Sequence, residues 1–193
     1  MKAIVINLDS RPDRLESFQK QDFPFEVERF PGVVPTSGRG QDGCALSHLS
    51  VLNAQTEFPF IVFEDDCMLV QPWSVVETAM RQLPSDWDAL WLGAMVKRPL
   101  RRYSPNLFRL HSSFSLHAVI YNSKTMVDHI ITKNHRRPGE NLDVFYRTKA
   151  QAMFNCFIVY PIAATQRSDV SDIGGNFTNH AEDIVTYYNT FVC

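Results

Sequence analysis

The stretch Phe58–Cys67, "FPFIVFEDDC", sets a largely apolar run directly before three consecutive carboxylates. A continuous apolar run of this length suits a strand covered on both faces. Three adjacent like charges repel one another and depress strand propensity, so they are a poor continuation of it. If the backbone stays extended, Glu64 and Asp66 point to one side and Asp65 to the other. Two carboxylates on one rim can hold Mg²⁺ or Mn²⁺ and leave positions for water and phosphate oxygens. A solvated acidic turn has the same composition, so the surroundings must decide.

Upstream, "KAIVINL" (2–8) is a second buried strand, and Ser10, Pro12 and Asp13 then open a short helix. "FEVERF" (25–30) alternates as a half-exposed strand does, and the Pro- and Gly-rich segment 31–43 reads as a loop. Ala45, Leu49 and Leu52 stand at helical spacing, predicting a helix opened by Gly43. Downstream, "MLV" and "WDALWLGA" are strands around a helix with Pro72 in its first turn. The segment 95–110 is a basic excursion, irregular or a hairpin. "SLHAVIYN" and "NCFIVYP" are strands, "SKTMVDHIITKN" and "NLDVFYRTKAQA" are helices, and a last helix ends the tail. Alternating strands and helices predict an α/β fold, a mostly parallel central sheet with helices on both faces, in a single domain over 1–193. Ligands of such sheets bind beyond the carboxyl ends of the strands, which puts the loop after Leu8 and the acidic turn on one rim.

With 193 residues, 45% hydrophobic and 21% charged, and a net charge of -2, the chain has the balance of an ordinary globular protein. Nothing in that charge points to nucleic acid or an anionic membrane, and no apolar run reaches the roughly 20 residues of a transmembrane segment. The opening apolar run is too short and too soon charged for a secretory signal. Cys44, Cys67, Cys156 and Cys193 form no CxxC pair, so neither a zinc site nor a disulfide framework is indicated. The expectation is a reduced, cytoplasmic protein, with peripheral membrane association left open.

Other residue types carry weaker signals. Arg11 and Arg14, just past the first strand, offer guanidinium forks that suit phosphate. Cys44 and His48 lie four apart, as a thiol and its base do, while Ser47 and His48 also suit polar ligand contacts. The basic residues Lys97, Arg98, Arg101 and Arg102, and the pair Arg136 and Arg137, read as solvated faces or as anion contacts. His117 reads as a core histidine. Asp143 is a helix-start carboxylate or a general base, and His180 is able to complete a metal shell.

In order, "VINLDSRPDRLESF", "DGCALSHLSVL", "FIVFEDDC", "WDALWLGA", "LHAVIYNSKTM", "NLDVF" and "YPIAATQRSDVSDI" resemble glycosyltransferase family 25, over about residues 3 to 173. That family includes galactosyltransferases of lipopolysaccharide biosynthesis and of collagen. The resemblance implies a GT-A-like fold and inverting transfer of a hexose, of galactose or glucose type, from a UDP-sugar donor. The acceptor it implies is a hydroxyl of a glycan, glycolipid or glycoprotein. It also implies Mn²⁺ or Mg²⁺ at a DxD-like motif, which here reads Glu64-Asp65-Asp66. Asp66 is then the main metal ligand, Glu64 a further ligand beside the His180 read above, and Glu64 and Asp65 nucleotide contacts. Asn7, Leu8, Arg11, Arg14, Ser47 and His48 line the nucleotide pocket, and Ser171 falls in the closing stretch. Asp143 is the expected base, with Asp172 and Glu182 as alternatives. Two other readings compete. A sugar-1-phosphate nucleotidyltransferase would need a Gly-rich phosphate loop, which "LDSRPDR" does not supply. A non-catalytic nucleotide-sugar-binding protein has no need of an intact acidic triplet.

Overall fold

The β-branched run after Lys2 forms the strand expected of it, β1 (Lys2–Asn7), with Ala3, Ile4 and Val5 sealed from water. The structure, a computed structural model, describes residues 1–170 and 177–192. After β1 come α1 (Pro12–Gln19), β2 (Glu28–Pro31), α2 (Gly40–Ala54), β3 (Phe60–Glu64), β4 (Cys67–Leu69) and α3 (Trp73–Met80). The middle of the chain gives β5 (Ala89–Trp91), β6 (Met95–Val96), β7 (Arg101–Ser104), β8 (Leu107–Arg109), β9 (Ser113–Phe114) and β10 (Ala118–Tyr121). Then follow α4 (Lys124–Lys133), α5 (Leu142–Phe145), a π-helical turn (Tyr146–Ala150), α6 (Gln151–Met153) and β11 (Cys156–Val159). The last elements are β12 (Ala164–Gln166), β13 (Asp169–Val170), β14 (Phe177–Thr178) and α7 (His180–Phe191).

The main sheet runs in the order β2-β1-β3-β10-β5-β11-β8-β7. Strands β2, β1, β3, β5, β11 and β7 point one way, and only β10 and β8 oppose them. The sheet is thus mostly parallel, as its apolar runs predict, because strands such as β3 and β11 are buried on both faces. One face packs Val62, Trp91 and Ile158 under Val51 and Leu52 of α2, Val127 of α4, Tyr146, and Ile184 of α7. The other packs Phe63, Leu90 and Phe157 under Phe18 of α1 and Val76 of α3. Helices therefore cover both faces.

Some local expectations shift. Helix α2 starts at Gly40, not at Gly43. Gly43 is needed for another reason: a Cβ there would lie 2.6 Å from the Val33 carbonyl, so the loop can lie flat on the helix only over a glycine. The strand of "FEVERF" begins late, at Glu28, because Phe25 turns inward to meet the Trp73 ring edge-on at 4.7 Å. The basic excursion holds the β7–β8 hairpin, at the sheet edge away from the acidic turn. The predicted helix over 141–152 is broken by the π-helical turn, where the Tyr146 hydroxyl meets that of Tyr121 at 2.9 Å.

Two pairings place the site. Parallel register sets Ile6 beside Glu64, so β1 and β3 end at the same rim. β12 lies antiparallel to β4, with Gln166 opposite Cys67, and so delivers Gln166 beside the acidic turn. No helix among the described residues is long and apolar enough to cross a membrane.

Candidate active site

The three carboxylates that end β3 go to three different environments. Asp65 turns toward β1, where the Asn7 side-chain amide donates to it at 2.7 Å and Arg14 pairs with it at 3.4 Å. Burial pushes its carboxyl up, and the Asn7 hydrogen bond and Arg14 charge pull the other way. Asn7 is itself fixed, donating to the Arg11 carbonyl at 2.8 Å and accepting from Arg29 at 3.0 Å. Asp65 is thereby a clamp between the two strand ends, although it still lines the cavity described below.

Glu64 uses its two oxygens in opposite directions. Oε1 meets His48 Nε2 at 2.8 Å, and Oε2 accepts from the Gln166 amide at 3.3 Å. The same Gln166 nitrogen reaches Asp66 Oδ2 at 3.3 Å, so one amide is shared between two carboxylates. Burial raises the Glu64 carboxyl most, but the His48 hydrogen bond and the nearby His48, His117 and His180 together outweigh it, and the net direction is down. Asp66 has less relief, from the Arg14 charge and the Gln166 amide. Burial, then the charges of Glu64 and Asp65, push it up to about 8. The pair is crowded, under-neutralised and open to solvent on one side.

These groups floor a cavity of about 310 Å³. Leu8, Val33, Val34 and Pro35 give it an apolar wall, and Arg14, Arg167 and His180 supply nitrogen donors. His180 opens α7, and its buried Nδ1 has no hydrogen-bond partner among the described residues. Ser47 lines the cavity, but its hydroxyl is already used: it donates to the Gly43 carbonyl and accepts from Val33 N–H, both at 2.7 Å. It holds the wall in place.

Arg11 does not reach the cavity wall and instead forks onto Asp13 at 3.0 Å. Asp143 also stands outside the lining. Its Oδ2 accepts from Ser115 N–H at 3.3 Å, its Oδ1 is buried without a partner, and burial raises its carboxyl. Ser115 holds φ at +76°, a strained value for a serine, so the backbone there is over-determined. Glu182, the second alternative base, is exposed and accepts at 2.7 Å from the side chain of Asn179, the residue that caps α7. Ser171 and Asp172 lie outside the described residues. Arg136 is committed to Asp42 at 2.7 Å, and Asp42 also accepts from Gly139 N–H at 2.9 Å. Those bonds hold Asp42 well below the usual carboxylate range and tie the loop between α4 and α5 to α2. Cys44 lines the cavity, but burial and the nearby Glu64 charge push its thiol well up, so it is no thiolate nucleophile.

Sequence reasoning missed Gln166 and Arg29. Both act across more than 20 residues of chain, and neither residue type marks itself. Only the position of Gln166, in the "AATQR" segment, could have drawn notice.

His117 lies fully buried behind the acidic turn, its carbonyl accepting from Glu64 N–H at 2.9 Å while neither ring nitrogen has a hydrogen-bond partner. Burial pushes its pKa down to about 4. The unfolded chain takes up this proton near pH 6.5, so stability is lost as pH falls from about 6.5 to about 4, by up to roughly 3 kcal/mol. Chemical denaturation of wild type and His117→Gln at pH 7 and pH 5 checks this. The variant should lose less stability on acidification, and equal losses would remove His117 from the account.

A scan against protein-family models and a search of curated proteins find no match. Among solved structures the chain is similar to A197 from STIV, at TM-score 0.49 and 11% identity, over 94% of this chain and 96% of that one. It is also similar to the apo-form glycosyltransferase GlyE of Streptococcus pneumoniae TIGR4, at TM-score 0.46 and 11% identity. That match covers 81% of this chain and 45% of GlyE. A UDP-glucose pyrophosphorylase complexed with UDP-glucose matches at TM-score 0.43 and 9% identity, over 97% of this chain and 81% of its own. These likenesses are shallow, and the reading of the site rests on its own residues.

Proposed function

We propose that the cavity binds a nucleotide-sugar, UDP-linked and of galactose or glucose type, together with Mn²⁺ or Mg²⁺, and passes the sugar to an acceptor hydroxyl. The observation that carries this reading is the crowding of Glu64 and Asp66 on one shared amide, at the carboxyl end of β3, under a cavity of nucleotide dimensions. Two carboxylates that repel each other are stabilised by a divalent cation, and oxygen donors with an imidazole at hand suit Mg²⁺ or Mn²⁺. Asp66 and Glu64 would hold it, with His180 in the same lining. When bound, the ion supplies positive charge beside the diphosphate of the leaving group. The ordered motifs that resemble family 25 support the same reading.

The chain's own residues then divide the remaining work. The wall of Leu8, Val33, Val34 and Pro35 excludes water and takes the apolar faces of base and ribose. Arg14 and Arg167 bring guanidinium donors toward the phosphates. In an inverting transfer the sugar's bond to the diphosphate breaks as the bond to the acceptor oxygen forms, and the acceptor's proton passes to a carboxylate. We assign that proton to Asp143, which lies outside the cavity lining and must be met by the acceptor from that side; its Oδ1 is buried and unpartnered, and burial raises its carboxyl, as a base requires. Asp143→Asn should lower kcat by about 100-fold with the donor KM little changed. An unchanged kcat would end the assignment.

Product analysis tests the reaction class. With UDP-galactose or UDP-glucose and Mn²⁺, the expected product is UDP. Consumption of the donor only when pyrophosphate is added would place the chain among nucleotidyltransferases instead.

A further inference from the structure

Cys44, His48 and Glu64 each offer one ligand atom, and these atoms lie within 4.8 Å of one another. Cys44 and His48 are successive positions on one face of α2, while Glu64 comes from the end of β3, so helix–strand packing alone brings the three together. All three line the cavity, which gives an ion an entry path and a face open to solvent. The Glu64 oxygen on this side is Oε1; Oε2 faces Gln166 and, through it, Asp66. His48 is buried, and among the described residues Glu64 is its ring's one hydrogen-bond partner, Nδ1 having none.

We propose that Cys44, His48 and Glu64 form a second cation site, distinct from the oxygen pair at Glu64 and Asp66, that takes a soft divalent ion of the Zn²⁺ class. A thiol and an imidazole are the donors such ions prefer, whereas Mg²⁺ and Mn²⁺ favour carboxylate and water. Tetrahedral coordination at usual zinc bond lengths sets ligand atoms roughly 3.3–3.8 Å apart, so the widest pair needs to close by at most about 1.5 Å, while His48 Nε2 and Glu64 Oε1, now at 2.8 Å, open slightly. Three protein ligands with a fourth position open to the cavity match the pattern of zinc sites that exchange their last ligand. On binding, a metal–sulfur bond forms, the thiol proton passes to solvent, and nothing is oxidised or reduced. Glu64 then stands between a hard and a soft position. The competing reading is a His48–Glu64 hydrogen bond with an inert thiol beside it. The site is independent of the transferase reading, which it needs neither for its ligands nor for its test.

Titration of the purified chain with Co²⁺ alone provides that test, because thiolate-bound Co²⁺ absorbs in the near ultraviolet. The band should saturate at one equivalent, vanish in Cys44→Ser, and bleach on adding Zn²⁺. Glu64→Gln should bind Co²⁺ at least tenfold more weakly, and Asp66→Asn should keep the band. No band in wild type, a band that survives Cys44→Ser, or one that requires Asp66 would overturn the site. A measurement on wild type alone guards against a misfolded variant: Zn²⁺ should slow maleimide labelling of Cys44 at least tenfold. An unchanged labelling rate would also overturn it.

Discussion

Asp66→Asn should lower donor-dependent transfer by at least about 100-fold, the scale lost when charge stabilisation is removed from a transition state. The same substitution should make the metal-free protein more stable. Asp66 is held up at about 8 because burial and the charges of Glu64 and Asp65 disfavour its ionised form. A carboxyl whose folded pKa lies above its unfolded value costs stability once the unfolded group ionises. That cost grows as pH rises from about 4 toward 8. Asparagine keeps the shape and removes the charge. Because Asp66 is half-buried, the gain is discounted for solvent screening to roughly 1–2 kcal/mol at pH 7.5. Steady-state kinetics and thermal melts on the same preparation read both effects. Loss of activity with lowered stability would mean a misfolded variant, and full activity would remove Asp66 from the reaction.

Gly93→Ala is the second large effect, and it acts on the frame that holds the site. A Cβ at this position would stand 1.9 Å from the Ala164 carbonyl oxygen, far inside contact distance. Neither partner has room to retreat. The neighbouring Leu92 carbonyl accepts from both Ala163 N–H, at 2.7 Å, and Ala164 N–H, at 3.1 Å. The end of β5 and the start of β12 are thus joined backbone to backbone in the core. The added methyl must break those bonds or push β12 away, and overpacking with lost buried hydrogen bonds costs about 3–5 kcal/mol. For a chain of this size that is a fall in Tm of roughly 10 °C. β12 carries Gln166, so the variant should also loosen the amide shared by Glu64 and Asp66. A Tm within about 2 °C of wild type would show that the close approach relaxes at little cost.

The layout of the fold was legible where one segment's composition settles its fate. The apolar runs of β1, β3 and β11 read as buried strands because burial on both faces leaves no room for alternation. The acidic turn read as a rim because like charges cannot continue a strand into the core. What stayed hidden depends on distant partners. Nothing local in "EDD" says that Asp65 turns back to Asn7, 58 residues earlier, while Glu64 faces His48. Gln166 meets the carboxylates only through the β4–β12 pairing. Gly43 resembled a helix start because glycine is common at helix ends; its actual duty is the close approach of Val33. The cysteine spacing signalled no metal, since the third donor beside Cys44 and His48 comes from a strand.

The central claim is that Glu64 and Asp66 hold a divalent cation beside a nucleotide diphosphate. Thermal melts of wild type and Asp66→Asn with UDP, Mn²⁺, or both test it most directly, because a ligand bound only by the folded state raises Tm, and by more the further its concentration exceeds its Kd. UDP and Mn²⁺ together should raise the wild-type Tm by several degrees, more than the sum of either alone, and the synergy should vanish in Asp66→Asn. A wild type indifferent to UDP with Mn²⁺, or a synergy that survives loss of the Asp66 carboxylate, would contradict it.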